Sequence, residues 1–244
     1  MSSDELTQPA GPHVEPLEIL AHGDVEVVGR MPYSSNATFL VTLRDGADEA
    51  RAIYKPHRGE RPLWDFPSGL YQREVAAYRL SEAMGIHVVP PTVLRTDAPL
   101  GIGSLQWFVE ADFQHHYFTM HEGLPDTHEQ LRAVAVFDLL ANNTDRKSGH
   151  CLWTPDGRVW AIDNGLCFAA DFKLRTVIWE FGGEPIPGQL VDAVRRIADC
   201  APADIAELLE PDEVDALVER ARLIVRRPVF PIDSTGRRYP WPLV

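Results

Sequence analysis

The run Asn142-Asn143-Thr144-Asp145-Arg146-Lys147-Ser148-Gly149-His150, followed shortly by Asp163-Asn164-Gly165, constrains this chain more than any other feature. Between the two segments the residues read as a short β-hairpin. Cys151–Thr154 forms one strand, Pro155-Asp156-Gly157 the turn, and Val159–Ile162 the returning strand. Antiparallel strands joined by a tight turn keep their far ends side by side. Asp145 and Asp163 are therefore expected at one end of the hairpin, facing one cleft. Asp156 sits in the turn itself, where Asp serves the backbone geometry. Two carboxylates so placed suit phosphoryl transfer: one lies near an attacking hydroxyl, the other grips the metal that bridges nucleotide phosphates. An Asp-Arg pair alone carries no such information, and Asp163-Asn164-Gly165 alone also admits a plain turn as its lesser reading.

Phosphoryl transfer asks a protein for positioning more than for covalent chemistry. Three further elements should precede the two loops. Ser34-Ser35-Asn36-Ala37-Thr38 lies between two strand candidates, and its small side chains let main-chain amides approach phosphates. It lacks the glycines of ordinary nucleotide loops and reads equally as a hairpin turn. Lys55 ends the apolar strand Ala52-Ile53-Tyr54-Lys55-Pro56, where an ammonium can neutralise phosphate charge. Glu74, on the next helix, is placed to orient that lysine. Each residue alone has a bland surface reading; their order and matching contexts carry the inference.

The 244 residues, 45% of them hydrophobic, suffice for one domain of two lobes or two small domains. A net charge of −13 lacks the basic footprint of a nucleic-acid binder and argues against tight docking on anionic membranes. Cys151, Cys167 and Cys200 show no metal or redox spacing and read as reduced, partly buried small hydrophobes. No apolar run is long enough for a bilayer and no secretory signal is evident, so a cytoplasmic location is expected.

Along the chain, residues 1–15 read as a mobile tail. Residues 16–110 read as a lobe of antiparallel sheet with one long helix, and 111–244 as a mostly helical lobe, with the junction near 109–112. Expected strands are Val25–Val28, Thr38–Leu43, Arg51–Lys55, Thr92–Arg95 and Leu105–Val109. Expected helices are Leu17–Ala21, Tyr71–Met84 stopped by Gly85, a helix to Ala141 opened by a Thr127–Gln130 capping box, Gln189–Ala198, Pro202–Leu209 and Asp212–Val225.

These pieces resemble the phosphatidylinositol 3- and 4-kinase-like group, most closely the type II phosphatidylinositol 4-kinases, and more distantly the HipA-type protein kinases. The resemblance rests on Ala52–Pro56, Arg73–Tyr78, Gly103–Glu110, Asn143–Arg146 and Ala161–Leu166, and spans roughly residues 30–190. The chain also resembles an actinobacterial family described as kinase-related. The resemblance implies an α+β, two-lobed protein-kinase-like fold with an antiparallel-sheet N-lobe and a mostly helical C-lobe. It implies ATP in the cleft with Mg2+ or Mn2+. Ser34, Ser35 and Asn36 would lie over the phosphates and Lys55 would contact them, paired with Glu74. Gln106, Trp107, Phe108 and Val109 would form the adenine hinge, Asp145 would be the catalytic-loop aspartate, and Asp163 the metal ligand.

One position departs from the pattern: where the family places an asparagine as second metal ligand, this chain has His150. Imidazole suits manganese or zinc better than magnesium, which prefers oxygen. His150 is therefore read either as a metal ligand or as a hydrogen-bond partner of phosphate or Asp163. His115-His116 reads as cleft edge. The acceptor implied is a hydroxyl on an inositol-like polyol, a lipid head group or a protein Ser/Thr; the acidic chain makes a soluble acceptor at least as good as a membrane lipid. Lys173 and Arg175 read either as anion-holding or as ordinary loop charges. His150 and the glycine-poor loop also admit a pseudokinase-type module that binds nucleotide or partners with little catalysis. Transfer of AMP instead of phosphate is a third reading.

Overall fold

The computed structural model of the chain describes residues 15–32, 34 and 36–243. The tail read at 1–15 lies, Glu15 apart, outside the described residues, as does Ser35. Strands β1 (Asp24–Arg30), β2 (Phe39–Asp45), β3 (Asp48–Pro56), β4 (Thr92–Arg95) and β5 (Gly103–Trp107) form one antiparallel sheet in the order β1-β2-β3-β5-β4. Strand periodicity sorts its two faces. Val41, Leu43, Ala52, Tyr54 and Leu105 are buried together with Ile19 and Leu20 of helix α1 (Pro16–His22). On β3, Ile53 and Lys55 alternate with Ala52 and Tyr54 and so face the opposite side.

Helix α2 (Leu70–Met84) joins this sheet to the helical half. One side meets β4 and β5; the other sends Ala76, Ala77, Leu80 and Met84 into the larger core. That core is built mainly from α4 (His128–Ala141), α5 (Gly188–Ala198) and α7 (Pro211–Arg226), with α3 (Tyr117–Gly123) and α6 (Ala203–Ala206) at its edges. Arg73 of α2 forms a buried ion pair with Glu213 of α7 and donates to the Cys167 carbonyl at 3.1 Å. The helix start is capped from afar: the Glu60 carboxylate accepts N–H bonds from Gly69 and Tyr71, both 2.9 Å. Its end follows the sequence reading, with Gly85 at φ +70 in the left-handed conformation that glycine adopts cheaply.

The hairpin is present as β6 (Cys151–Trp153) and β7 (Val159–Ala161), and Gly157 carries the turn at φ +86. The C-terminal segment then runs back across the helical half. Arg238 O accepts from the Thr176 N–H (3.1 Å), and Leu243 O from the Ser148 N–H (2.8 Å). Among the described residues no helix is long and apolar enough to cross a membrane.

Several expectations need correction. The Thr127 hydroxyl does not cap α4 but donates to Leu124 O at 2.7 Å, because a preceding turn, Pro125–Thr127, already leads into the helix. Gln130 is taken up instead by the hairpin, donating to Gly157 O and accepting from the Val159 N–H, both 2.9 Å. Strand β5 stops at Trp107, not Val109. The β4 pairing ends at Gln106, opposite Thr92; the residues before Thr92 are Pro90 and Pro91, which have no N–H to offer. The helix expected over 202–209 shrinks to Ala203–Ala206. Helix α3, rich in aromatic and His residues with weak helix propensity, was not foreseen; burial of Tyr117 and Met120 sustains it. Cys151 and Cys167 are buried as free thiols, whereas Cys200 is exposed.

Candidate functional site

Between the sheet and the helical half lies a cavity of about 360 Å3. The described residues expected to contact nucleotide, metal or acceptor border it: Ser34, Asn36, Lys55, Glu74, Gln106, Trp107, Phe108, Val109, Asp145, His150 and Asp163; His115, His116, Lys173 and Arg175 do not. Lys55 Nζ donates to Glu74 Oε1 and, at 2.8 Å, to Asp163 Oδ1. Burial works against the lysine charge, but Asp163 and Glu74 outweigh it and hold the Lys55 pKa above its ordinary value. Lys55 in turn is the main reason that the Asp163 carboxyl lies well below the usual range, with burial opposing. Asp163 adopts φ +58, a left-handed conformation that a non-glycine residue holds only under constraint.

The His150 ring lies beside this pair, with Nε2 3.5 Å from Asp163 Oδ2. Burial lowers its pKa to about 4, so the ring is neutral near pH 7. Its Nδ1 is 3.0 Å from Asp145 O and 3.4 Å from Lys147 N. The shorter contact assigns the proton to Nδ1, donated to the carbonyl, and leaves the Nε2 lone pair directed at the Asp163 side of the cavity. Asp145 is held from below: its N–H donates to Asn143 Oδ1 at 2.9 Å. Burial raises the Asp145 pKa while Lys147, 3.2 Å away, pulls it down.

The segment read as the adenine hinge is largely committed to the sheet. The Gln106 side chain donates to Thr92 Oγ1 (3.0 Å), the Trp107 N–H to Pro91 O (2.8 Å) and the Phe108 N–H to Arg51 O (3.1 Å). No described residue accepts from the Val109 N–H, and Val109 borders the cavity. The 31–38 loop is braced from outside. The Ala37 N–H donates to Gly59 O and Asn36 Oδ1 accepts from the Arg61 N–H, both 2.9 Å. Lys173, read as a possible anion holder, is engaged elsewhere: its Nζ donates to Asp65 O at 2.9 Å and lies over the Phe66 ring. His115 packs edge-on against Trp153.

Four residues of the site were missed in the sequence. Lys147 pairs with Asp145. Arg146, Asp138 and Asn164 form a buried network under both aspartate loops. The signal available for Asp138 was an acid on the apolar face of α4, amid Val134, Phe137 and Ala141.

Among the described residues no group of three or more His, Cys, Asp or Glu is placed to hold a metal. His150 and Asp163 make a pair. A divalent ion bound together with nucleotide phosphates takes one or two protein donors and completes its shell from phosphate and water. The donor set fits such an ion better than an all-protein cage, and its nitrogen favours manganese over magnesium.

No protein-family model matches the chain. Among solved structures, the Helicobacter pylori proinflammatory kinase CtkA superposes with a TM-score of 0.52 at 10% identity, over 86% of this chain and 94% of that one. The golgi casein kinase gives 0.49 at 13% identity, over 86% and 74%. The first likeness, with the sheet and helical halves around one cleft, shows a two-lobed kinase-like α+β fold. In sequence the chain is 38% identical to Protein Rv2133c of Mycobacterium tuberculosis (strain ATCC 25618 / H37Rv), a match covering 92% of this chain and 94% of the relative. It therefore belongs to the family of Rv2133c.

Proposed function

We propose that the chain is an ATP-dependent phosphotransferase that moves the γ-phosphoryl group to a hydroxyl. The observation that carries this reading is the bridge from Lys55 to both Glu74 and Asp163 in the cavity that Asp145 also lines. A cation from the sheet and two acids from the loops flanking the hairpin border one cavity, which supports a triphosphate site. Adenine would lie against Trp107–Val109, bonded to the Val109 N–H. Lys55 would hold the phosphates. Asp145 would orient the acceptor hydroxyl and take its proton as the acceptor O–P bond forms and the bond to the β-phosphate oxygen breaks, releasing ADP. Asp163, with His150 Nε2, would hold the divalent ion, which when bound neutralises charge on the β- and γ-oxygens.

Incubation with ATP labelled at the α or γ position, with Mg2+ or Mn2+, tests this. Label should pass from γ-ATP to an added polyol, lipid or protein acceptor, or to the chain itself. Asp145→Ala should lower transfer about 1000-fold while the melt is largely kept. Transfer from α-ATP would mean AMP transfer instead. Full transfer by Asp145→Ala would overturn the assignment of the loop.

A second reading, a nucleotide-binding module with little catalysis, is favoured by the 31–38 loop. It lacks glycine, and both the Ala37 N–H and the Asn36 carboxamide oxygen are spent on residues 59–61. Stabilisation by metal–ATP without turnover on any acceptor would support it.

A further inference from the structure

Directly after Asp145 comes a guanidinium with no solvent exposure at all. Arg146 and Asp138 are both 0% exposed. Arginine carries five N–H donors in a planar fork, and here each points at an acceptor. Nε and one Nη2 hydrogen meet the Asp138 carboxylate (2.9–3.1 Å). The other Nη2 hydrogen reaches Asn164 Oδ1 at 2.7 Å. Nη1 reaches Ile162 O at 2.6 Å and His150 O at 3.5 Å. Ile162 and Asn164 are the residues immediately before and after Asp163.

Asp138 works on the other loop as well. Its Oδ1 accepts from Asn143 Nδ2 at 3.0 Å, and Asn143 Oδ1 accepts the Asp145 N–H at 2.9 Å. One buried ion pair thus grips the backbone on both sides of Asp163 and, through Asn143, the backbone of Asp145. From the sheet side the Asn164 N–H donates to Glu74 Oε2 at 3.1 Å. The network runs unbroken from the Lys55 ion pair to Asp145.

Two arguments give this network a positional role. A buried ion pair is a weak source of stability, since apolar side chains of similar volume do as well or better. Its presence here calls for another reason. Asp163 also sits at φ +58, a conformation that persists only when its surroundings over-determine it. The bonds to Ile162 O, Asn164 Oδ1 and the Asn164 N–H supply that determination.

We propose that Arg146, with Asp138 and Asn164, is a positioning residue that sets the metal-side Asp163 against the hydroxyl-side Asp145; this rests on the phosphotransfer reading above. Lysine cannot replace it. An ammonium can pair with Asp138 but cannot fork to Ile162 O and Asn164 at once.

The test compares Arg146→Lys and Asn164→Ala with Leu217→Ala, a cavity-forming change in α7 away from the cleft. Three properties are read for each. In metal-free protein, amide hydrogen exchange at residues 162–165 should quicken about tenfold in the first two variants and stay unchanged in Leu217→Ala. The Mn2+ concentration giving half-maximal ATP binding should rise about 10- to 100-fold, as for loss of an outer-shell support. In the transfer assay kcat should fall about 100-fold for Arg146→Lys with the KM for ATP within threefold, the signature of misplaced reacting groups.

If Arg146→Lys does not fold, Asn164→Ala, which leaves the Asp138 pair intact, carries the test. Unchanged exchange at 162–165 together with unchanged Mn2+ dependence in a folded variant would overturn the proposal. A wild-type chain that binds Mn2+–ATP but transfers nothing would sink the phosphotransfer reading alone, and exchange and metal dependence would still judge the positioning role.

Discussion

Replacing Glu74 by Gln tests the central ion pair with little change of shape. The Glu74 side chain is 3% exposed, and its two oxygens serve two donors, Lys55 Nζ and the Asn164 N–H. Glutamine keeps one acceptor oxygen and turns an NH2 group toward the other donor. One charge-assisted bond is lost, an effect of about 1.5–3 kcal/mol. The larger cost of stranding a buried ion, about 3–5 kcal/mol, is not reached, because Lys55 retains Asp163 at 2.8 Å. A loss of about 2 kcal/mol should lower Tm by roughly 4–8 °C in a chain of this size. Calorimetry without nucleotide reads it directly. A cycle with Lys55→Met should show a coupling of about 1–2 kcal/mol. Additivity within about 0.5 kcal/mol, with a Tm change under about 1 °C, would refute the reasoning, since the pair would then be neither buried nor coupled.

Glu213→Ala strands Arg73 between α2 and α7 and should destabilise by about 3–5 kcal/mol, seen as a lower urea midpoint at unchanged m-value. Lys147→Met removes the cation that lowers the Asp145 pKa while burial continues to raise it. The acid limb of kcat/KM should therefore move to higher pH; a limb that stays or moves down contradicts Asp145 as the base. His150→Asn exchanges a nitrogen donor for an oxygen and should shift the preference of ATP binding from Mn2+ toward Mg2+, measured by titration with each ion. No change in the ratio would remove His150 from the metal site.

What the residues disclosed on their own was whatever depends on local periodicity and turn chemistry. Alternation along β3 puts Lys55 on the face opposite Tyr54, and Pro155-Asp156-Gly157 closes a hairpin whose ends bring Asp145 and Asp163 to one cavity. Gly85 stops α2 through its own backbone freedom. Tertiary contacts decided the rest. Glu60 caps a helix it does not belong to, and Gln130 leaves its own helix start to brace the hairpin. Two prolines preceding β4 end its pairing with β5 at Gln106, and no described residue accepts from the Val109 N–H at the cavity edge. The Asp138–Arg146 pair has no period, because its meaning lies in acceptors from three separate segments, at 138, 150 and 162–164. A hydrogen bond between distant segments is invisible to spacing rules; it exists only once burial has removed water as the competing partner.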